Sequence, residues 1–225
     1  MTDRELTARY EADNPIDPAV VEVKSAGGNV ARHAFTPHGA LVDRLRDESY
    51  QDIVAETVNN GELDAYVVTY RTYISPLWLE DTFAYQRSGN ESTRHQRKKL
   101  VCAQFLDRYG HKFPTHENEL YNGLSTNNHE WVYFGCFETD YGSARADVMC
   151  NCGTHDLACE VGKTSAEKFL NEGLSQLDSL VVCPYQSHDE LEEGGDEYSI
   201  YIFQKPDVDL DWDSSIEGQG DAGRA

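Results

Sequence analysis

Hydrophobic and polar residues alternate most cleanly from Asp64 to Ser75. Tyr66, Val68, Tyr70, Thr72 and Ile74 fall on one face there, and Val67, Thr69, Arg71 and Tyr73 on the other. A period of two over that length predicts a β-strand. Its tyrosines could stack on bases, but aromatic and β-branched residues also suit any sheet face, and the sheet reading is the stronger one. Short apolar runs predict further strands at 19–23, 180–184 and 198–204, with Gly27-Gly28 as a turn after the first.

A helical period appears in three places. From Ala40 to Asn59 it turns Leu41, Leu45, Ile53 and Val54 inward, with Ser49 as a dividing point and Asn60-Gly61 as the stop. From Ser92 to Tyr109, Val101, Cys102, Phe105, Leu106 and Tyr109 form an apolar stripe that Gly110 ends. The third helix starts at Thr164, which makes a capping box with Glu167, and turns Ala166, Phe169, Leu170, Gly173 and Leu177 inward.

Between these lies a hairpin. Glu130 to Phe137 reads as a strand apolar on both faces, Thr139 to Ser143 as a turn, and Ala144, Ala146, Val148, Cys150 and Cys152 as one face of the returning strand. A turn centred on Tyr141 would pair Cys136 with Ala146, Val132 with Cys150 and Glu130 with Cys152. Hairpins outnumber strand-helix-strand units. The expected fold is therefore α+β: a single domain over 15–205 with a mainly antiparallel sheet, three or four helices and a small zinc-stapled hairpin-helix unit. A polar segment, 1–14, precedes it, and an acidic tail, 206–225, follows it and is expected to be disordered.

Candidate chemistry concentrates beyond that hairpin, at Cys150, Cys152, His155 and Cys159. Two cysteines from one strand face, joined by a histidine and a cysteine four apart on a helical turn, give three thiolates and an imidazole, a donor set for structural zinc. Four protein ligands leave no open position for substrate, which favours a structural over a catalytic role. The same residues also read as buried free thiols, or as disulfide or redox chemistry.

Charge changes the picture of where the protein works. The 225 residues include 40 Asp and Glu against 19 Lys and Arg, a net charge of −21. Self-repulsion on that scale strains a fold at low salt, whereas molar salt shortens the Debye length to about 3 Å. The composition predicts a salt-in halophile, either a haloarchaeon or one of its viruses, with an acidic mesophilic protein as the alternative. The first residues have no secretory character, and no apolar run approaches a membrane span. The expected location is the cytoplasm or a virion, where thiols stay reduced.

Against this background Arg94, His95, Arg97, Lys98 and Lys99 gather at the start of one helix. Cations there oppose the helix macrodipole by about 0.3–1 kcal/mol each. Either Arg94, Arg97, Lys98 and Lys99 meet nucleic acid, or they pair with the chain's own carboxylates. Phosphate affinity falls steeply with salt, so internal pairing has the advantage in a halophile.

Other motifs fail on their context. Gly162-Lys163-Thr164 resembles a P-loop end, but Leu157 stands where that loop needs glycine. The alternating Asp207, Asp209, Asp211 and Asp213 break the calcium-loop pattern at Trp212. Glu22 and Lys24 match half of a metal-dependent nuclease site without the preceding acidic strand. The first functional expectation is thus a halophilic intracellular protein with structural zinc that binds nucleic acid or a protein partner in a regulatory role. A non-enzymatic virion structural or interaction protein is the alternative, and a nuclease using Glu22 and Lys24 the third reading.

Overall fold

The structure, a computed structural model, describes residues 19–35, 48–74, 79, 91–108, 137–141, 144–151, 156–162, 176–185, 188–190 and 196–208. These form β1 (Ala19–Ser25), α1 (Gly28–Ala34), α2 (Glu48–Asn59), β2 (Asp64–Thr72), α3 (Thr93–Arg108), β3 (Phe137–Tyr141), β4 (Ala144–Asn151), β5 (Asp156–Val161), β6 (Ser179–Cys183), β7 (His188–Glu190) and β8 (Asp196–Gln204). One sheet takes all eight strands, in the order β1-β2-β8-β6-β5-β4-β3, with β7 also on β8. Only the β5–β6 pair is parallel. The class is therefore α+β with a mainly antiparallel sheet.

Central strands are buried on both faces because helices cover each side. On one face, Val68, Tyr70, Val181, Cys183, Ile200 and Ile202 pack with Leu100, Val101, Phe105 and Leu106 of α3. On the other, Ala65, Leu180, Val182, Tyr201 and Phe203 meet Ala31, Ala34 and Phe35 at α1 and Val54, Ala55 and Val58 of α2. The alternation read in β2 thus divides two cores rather than a core from solvent.

Four expectations are corrected. The turn at Gly27-Gly28 leads directly into α1, whose first residue packs so closely on α2 that a Cβ at Gly28 would lie 2.9 Å from the Ala55 carbonyl oxygen. Ile53 is 44 % exposed; Val54 faces inward as expected, joined by Ala55 and Val58. The hairpin pairs Phe137 with Val148, Thr139 with Ala146 and Tyr141 with Ala144, so the register is shifted and Thr139–Tyr141 belong to a strand. Finally, 156–161 is a strand where the spacing of His155 and Cys159 predicts a helical turn. Its run Leu157-Ala158-Cys159 is apolar on both faces because β5 lies inside the sheet, paired with β4 and β6. Val208 is buried and Gln204 Nε2 donates to its carbonyl at 2.9 Å, so the first residues after 205 dock on the domain.

Candidate metal centre

Ser92 starts α3 as its N-cap: its carbonyl accepts from His95 N and Gln96 N at 2.9 and 3.1 Å, and its hydroxyl from His95 N at 3.3 Å. Every residue from Lys98 to Leu106 is buried, so the helix is enclosed around its circumference rather than amphipathic. Polar groups on an enclosed helix need internal partners. Gln104 accepts a hydrogen bond from Thr72. The Lys98 ammonium donates to the Pro184 carbonyl at 2.8 Å and lies 5.0 Å from the centre of the Tyr198 ring.

Glu91, His95 and Lys99 are spaced four apart and share one side of the helix start. Opposite them, the β3–β4 pairing is interrupted between Phe137↔Val148 and Thr139↔Ala146. There Glu138 adopts φ +52°, the one non-glycine positive φ among the described residues. That conformation is sparsely populated for a side chain with a Cβ and persists only where surroundings hold it. Glu138 and Asp147 both contact Lys99 from this interruption.

The result is a half-buried charge cluster. Lys99 Nζ, fully enclosed, donates to Glu91 Oε1 at 2.6 Å and to Glu138 Oε1, with Asp147 Oδ1 at 3.7 Å. His95 Nε2 is 3.1 Å from Asp147 Oδ1 and 3.8 Å from Glu91 Oε1, while Nδ1 is 2.9 Å from the Tyr185 hydroxyl. Asp147 Oδ2 accepts Val161 N–H at 2.7 Å, which fixes the carboxylate and leaves Oδ1 towards His95. Burial works against the Lys99 ammonium, but hydrogen bonds to Glu138 and Glu91 outweigh it and hold its pKa above the usual lysine value. Burial likewise opposes the Asp147 carboxylate, yet His95 and the Val161 N–H bring its pKa below the usual range.

Ligand atoms of Glu91, His95 and Glu138 lie within 4.8 Å of one another, a grouping that could hold a metal ion. Glu91 Oε2 is buried without a hydrogen-bond partner among the described residues. Tyr185 is seated by Gly162 (φ +85°), where a Cβ would come within 2.5 Å of the tyrosine ring.

The residues singled out by sequence are distributed differently. Cys159 is buried on β5, directly opposite Val148, in the core that α3 covers. Cys150 pairs with Leu157 two positions along, while Cys152 and His155 lie outside the described residues. Lys98 and Lys99 are buried, Arg97 Nη1 is 3.6 Å from Asp196, and Arg94 donates to the Tyr185 carbonyl and lies over its ring. The four cations expected to face nucleic acid are all engaged by the protein itself. Glu22 and Lys24 pair with each other at 2.8 Å on exposed β1, with Thr69 and Val67 as their β2 neighbours.

Sequence reasoning missed Glu91, Glu138, Asp147 and Tyr185. The four-residue spacing of Glu91, His95 and Lys99 was a readable signal for half of the cluster; Glu138 and Asp147 join it only through the sheet. Compared with protein-family models, curated proteins and solved structures, the chain matches none. No described helix is long and apolar enough to cross a membrane.

Proposed function

We propose that the chain is a zinc-stapled binding protein adapted to molar salt, acting in a regulatory role through contact with a protein partner rather than through catalysis. The observation that carries this reading is the convergence of Glu91, His95 and Glu138 from separate elements, with an orphaned buried oxygen on Glu91. One imidazole and carboxylates are a donor set zinc accepts at about 2.0–2.2 Å. Asp147 Oδ1 lies 3.1 Å from the same His95 nitrogen and adds negative charge beside the three candidate ligands.

Charge supports a divalent ion. Glu91, Glu138 and Asp147 carry three negative charges against one on Lys99. Arg145 Nε also lies 3.6 Å from Glu138 Oε2, but the side chain is exposed and Asp140 Oδ1, 3.3 Å away, offsets its charge. A divalent ion brings the cluster with neutral His95 to zero. With an ion bound, Lys99 would have to give up its place between Glu91 and Glu138, and the Tyr185 hydroxyl on Nδ1 would orient the imidazole. The ion would tie the start of α3 to the β3–β4 hairpin.

The partner follows from charge as well. A surface of net charge −21 repels phosphate, and Arg94, Arg97, Lys98 and Lys99 already have internal partners. Purification in molar KCl without chelator, followed by elemental analysis, tests the site. Glu138→Gln and His95→Asn should each lower bound zinc by one equivalent per chain. Zinc content unchanged in both variants refutes the assignment.

A further inference from the structure

Glu91 Oε1 faces two groups at once. It lies 3.8 Å from His95 Nε2, a gap that one zinc ion can bridge with bonds of about 2.0–2.2 Å, and it accepts a hydrogen bond from Lys99 Nζ at 2.6 Å. Glu138 Oε1 accepts from the same ammonium. The cation that these two carboxylates share is thus part of the chain. The Lys99 side chain is fully enclosed and stands one helical turn beyond His95 on α3. An ion bridging Glu91 and Glu138 would lie within a few ångströms of that ammonium, and two like charges in a half-buried place repel too strongly for both to stay.

A carboxylate cluster in molar KCl is bathed in potassium, yet potassium gains little here. Exchanging the ammonium for a potassium ion swaps one unit charge for another and gives up two charge-assisted hydrogen bonds. It also captures a free ion, whereas the tether presents Lys99 at a high effective concentration. A divalent ion brings one charge more than the ammonium it replaces, against the three negative charges of Glu91, Glu138 and Asp147. For zinc the His95 imidazole adds a donor that hard ions do not favour.

We propose that Lys99 is a tethered competitor that sets the specificity of this centre: it shuts out monovalent cations and yields only to a divalent ion. The inference rests on the reading of Glu91, His95 and Glu138 as an ion site. It makes the centre responsive to divalent ions at any concentration of potassium, with either the ammonium or the ion holding the start of α3 to the β3–β4 hairpin.

Zinc affinity of the wild type and of Lys99→Met is compared in molar KCl and in tetramethylammonium chloride of equal ionic strength, so that screening is constant and only the small cation changes. The component counted is the one that His95→Asn lacks. If the ammonium occupies the site in about nine molecules of ten, Lys99→Met should bind zinc about tenfold more tightly in the tetramethylammonium salt. Passing to KCl should weaken the variant at least about threefold, as potassium enters, and the wild type by less. Where Lys99→Met does not fold, as judged by circular dichroism, labelling of the wild type decides. Acetic anhydride should modify Lys99 several-fold faster with zinc than without, and equally slowly in the two salts when zinc is absent, with exposed Lys24 as the internal standard. Equal zinc affinity in variant and wild type, an equal effect of potassium on both, or zinc bound through His95 while Lys99 stays protected overturns the proposal; the last of these leaves the metal centre itself standing. Absence of zinc binding, or Lys99 labelling that rises equally in His95→Asn, overturns both.

Discussion

Replacing Lys99 with Met retains the aliphatic stem and removes the ammonium at the centre of the carboxylate cluster. Glu91 and Glu138 lose their direct donor, and Asp147 loses a charge 3.7 Å away. Removing one partner of a buried ion pair costs about 3–5 kcal/mol. The carboxylate side chains remain 16–30 % exposed, so water reaches them and the loss belongs at the lower end, about 3 kcal/mol. For a chain of this size that lowers Tm by roughly 6–12 °C. Thermal unfolding followed by circular dichroism in molar KCl, without divalent ions, measures it. Lys24→Met is the control: its pair with Glu22 is 2.8 Å long, but the side chains are 65 % and 49 % exposed. Exposed pairs are worth below about 1 kcal/mol, and less in salt. Zinc should restore much of the loss, because the competing ammonium is gone; at 100 times Kd the gain is about 2.7 kcal/mol. A Lys99→Met loss no larger than that of Lys24→Met, or zinc that stabilises the variant no more than the wild type, refutes both the magnitude and the metal site.

Three further outcomes are expected. Melting temperature should rise from low to molar KCl as the net charge of −21 is screened, and a flat profile removes the halophilic reading. Gly162→Ala should cost more than Gly61→Ala in denaturant melts: both have positive φ, worth about 1–2 kcal/mol, but only at Gly162 does the new Cβ meet a ring, that of Tyr185; equal losses would show that the ring yields freely. Burial pushes the Tyr201 hydroxyl up to about 12, and burial with the Asp196 carboxylate pushes Tyr198 higher still. An unfolded tyrosine ionises near pH 10, so the unfolded state binds fewer protons above that pH and stability falls as pH rises towards 12, by about 2–3 kcal/mol for Tyr201 alone. Tyrosinate absorbance from these two residues should therefore appear only with unfolding, and a gradual rise in the folded protein contradicts their burial.

The strands β2, β6 and β8 and the helix α3 were legible because alternation and stripe survive wherever a face meets a core. Helix α1 was not, since a Gly-Gly pair signals a turn unless the close approach of Gly28 to Ala55 is known. The β5 segment was misread for a related reason: a short apolar run has no period of its own, and the spacing of His155 and Cys159 suits a helical turn as well as a strand. Of the candidate centre, the helix contributed a visible four-residue spacing. The hairpin contributed nothing visible, because Glu138 and Asp147 turn towards α3 only at an interruption in the pairing, which local sequence does not encode. The basic run was legible as charge and misleading as surface. Its burial depends on what covers α3.

The place of β8 has a consequence for how the chain comes to be folded. The strand lies between β2 and β6, pairing Asp64 with Gln204 on one side and Ser179 with Gln204 on the other. Within the described sheet, the amino-terminal strands β1 and β2 reach β3 to β6 only across it. A ribosome must therefore pass Gln204 before the sheet can close, and contacts across such separations form slowly. Until then the inner edges of β2 and β6 stand open, where exposed strand edges invite wrong pairing. The dense negative charge of the nascent chain then serves as a guard, keeping unfinished copies apart until β8 locks the halves together.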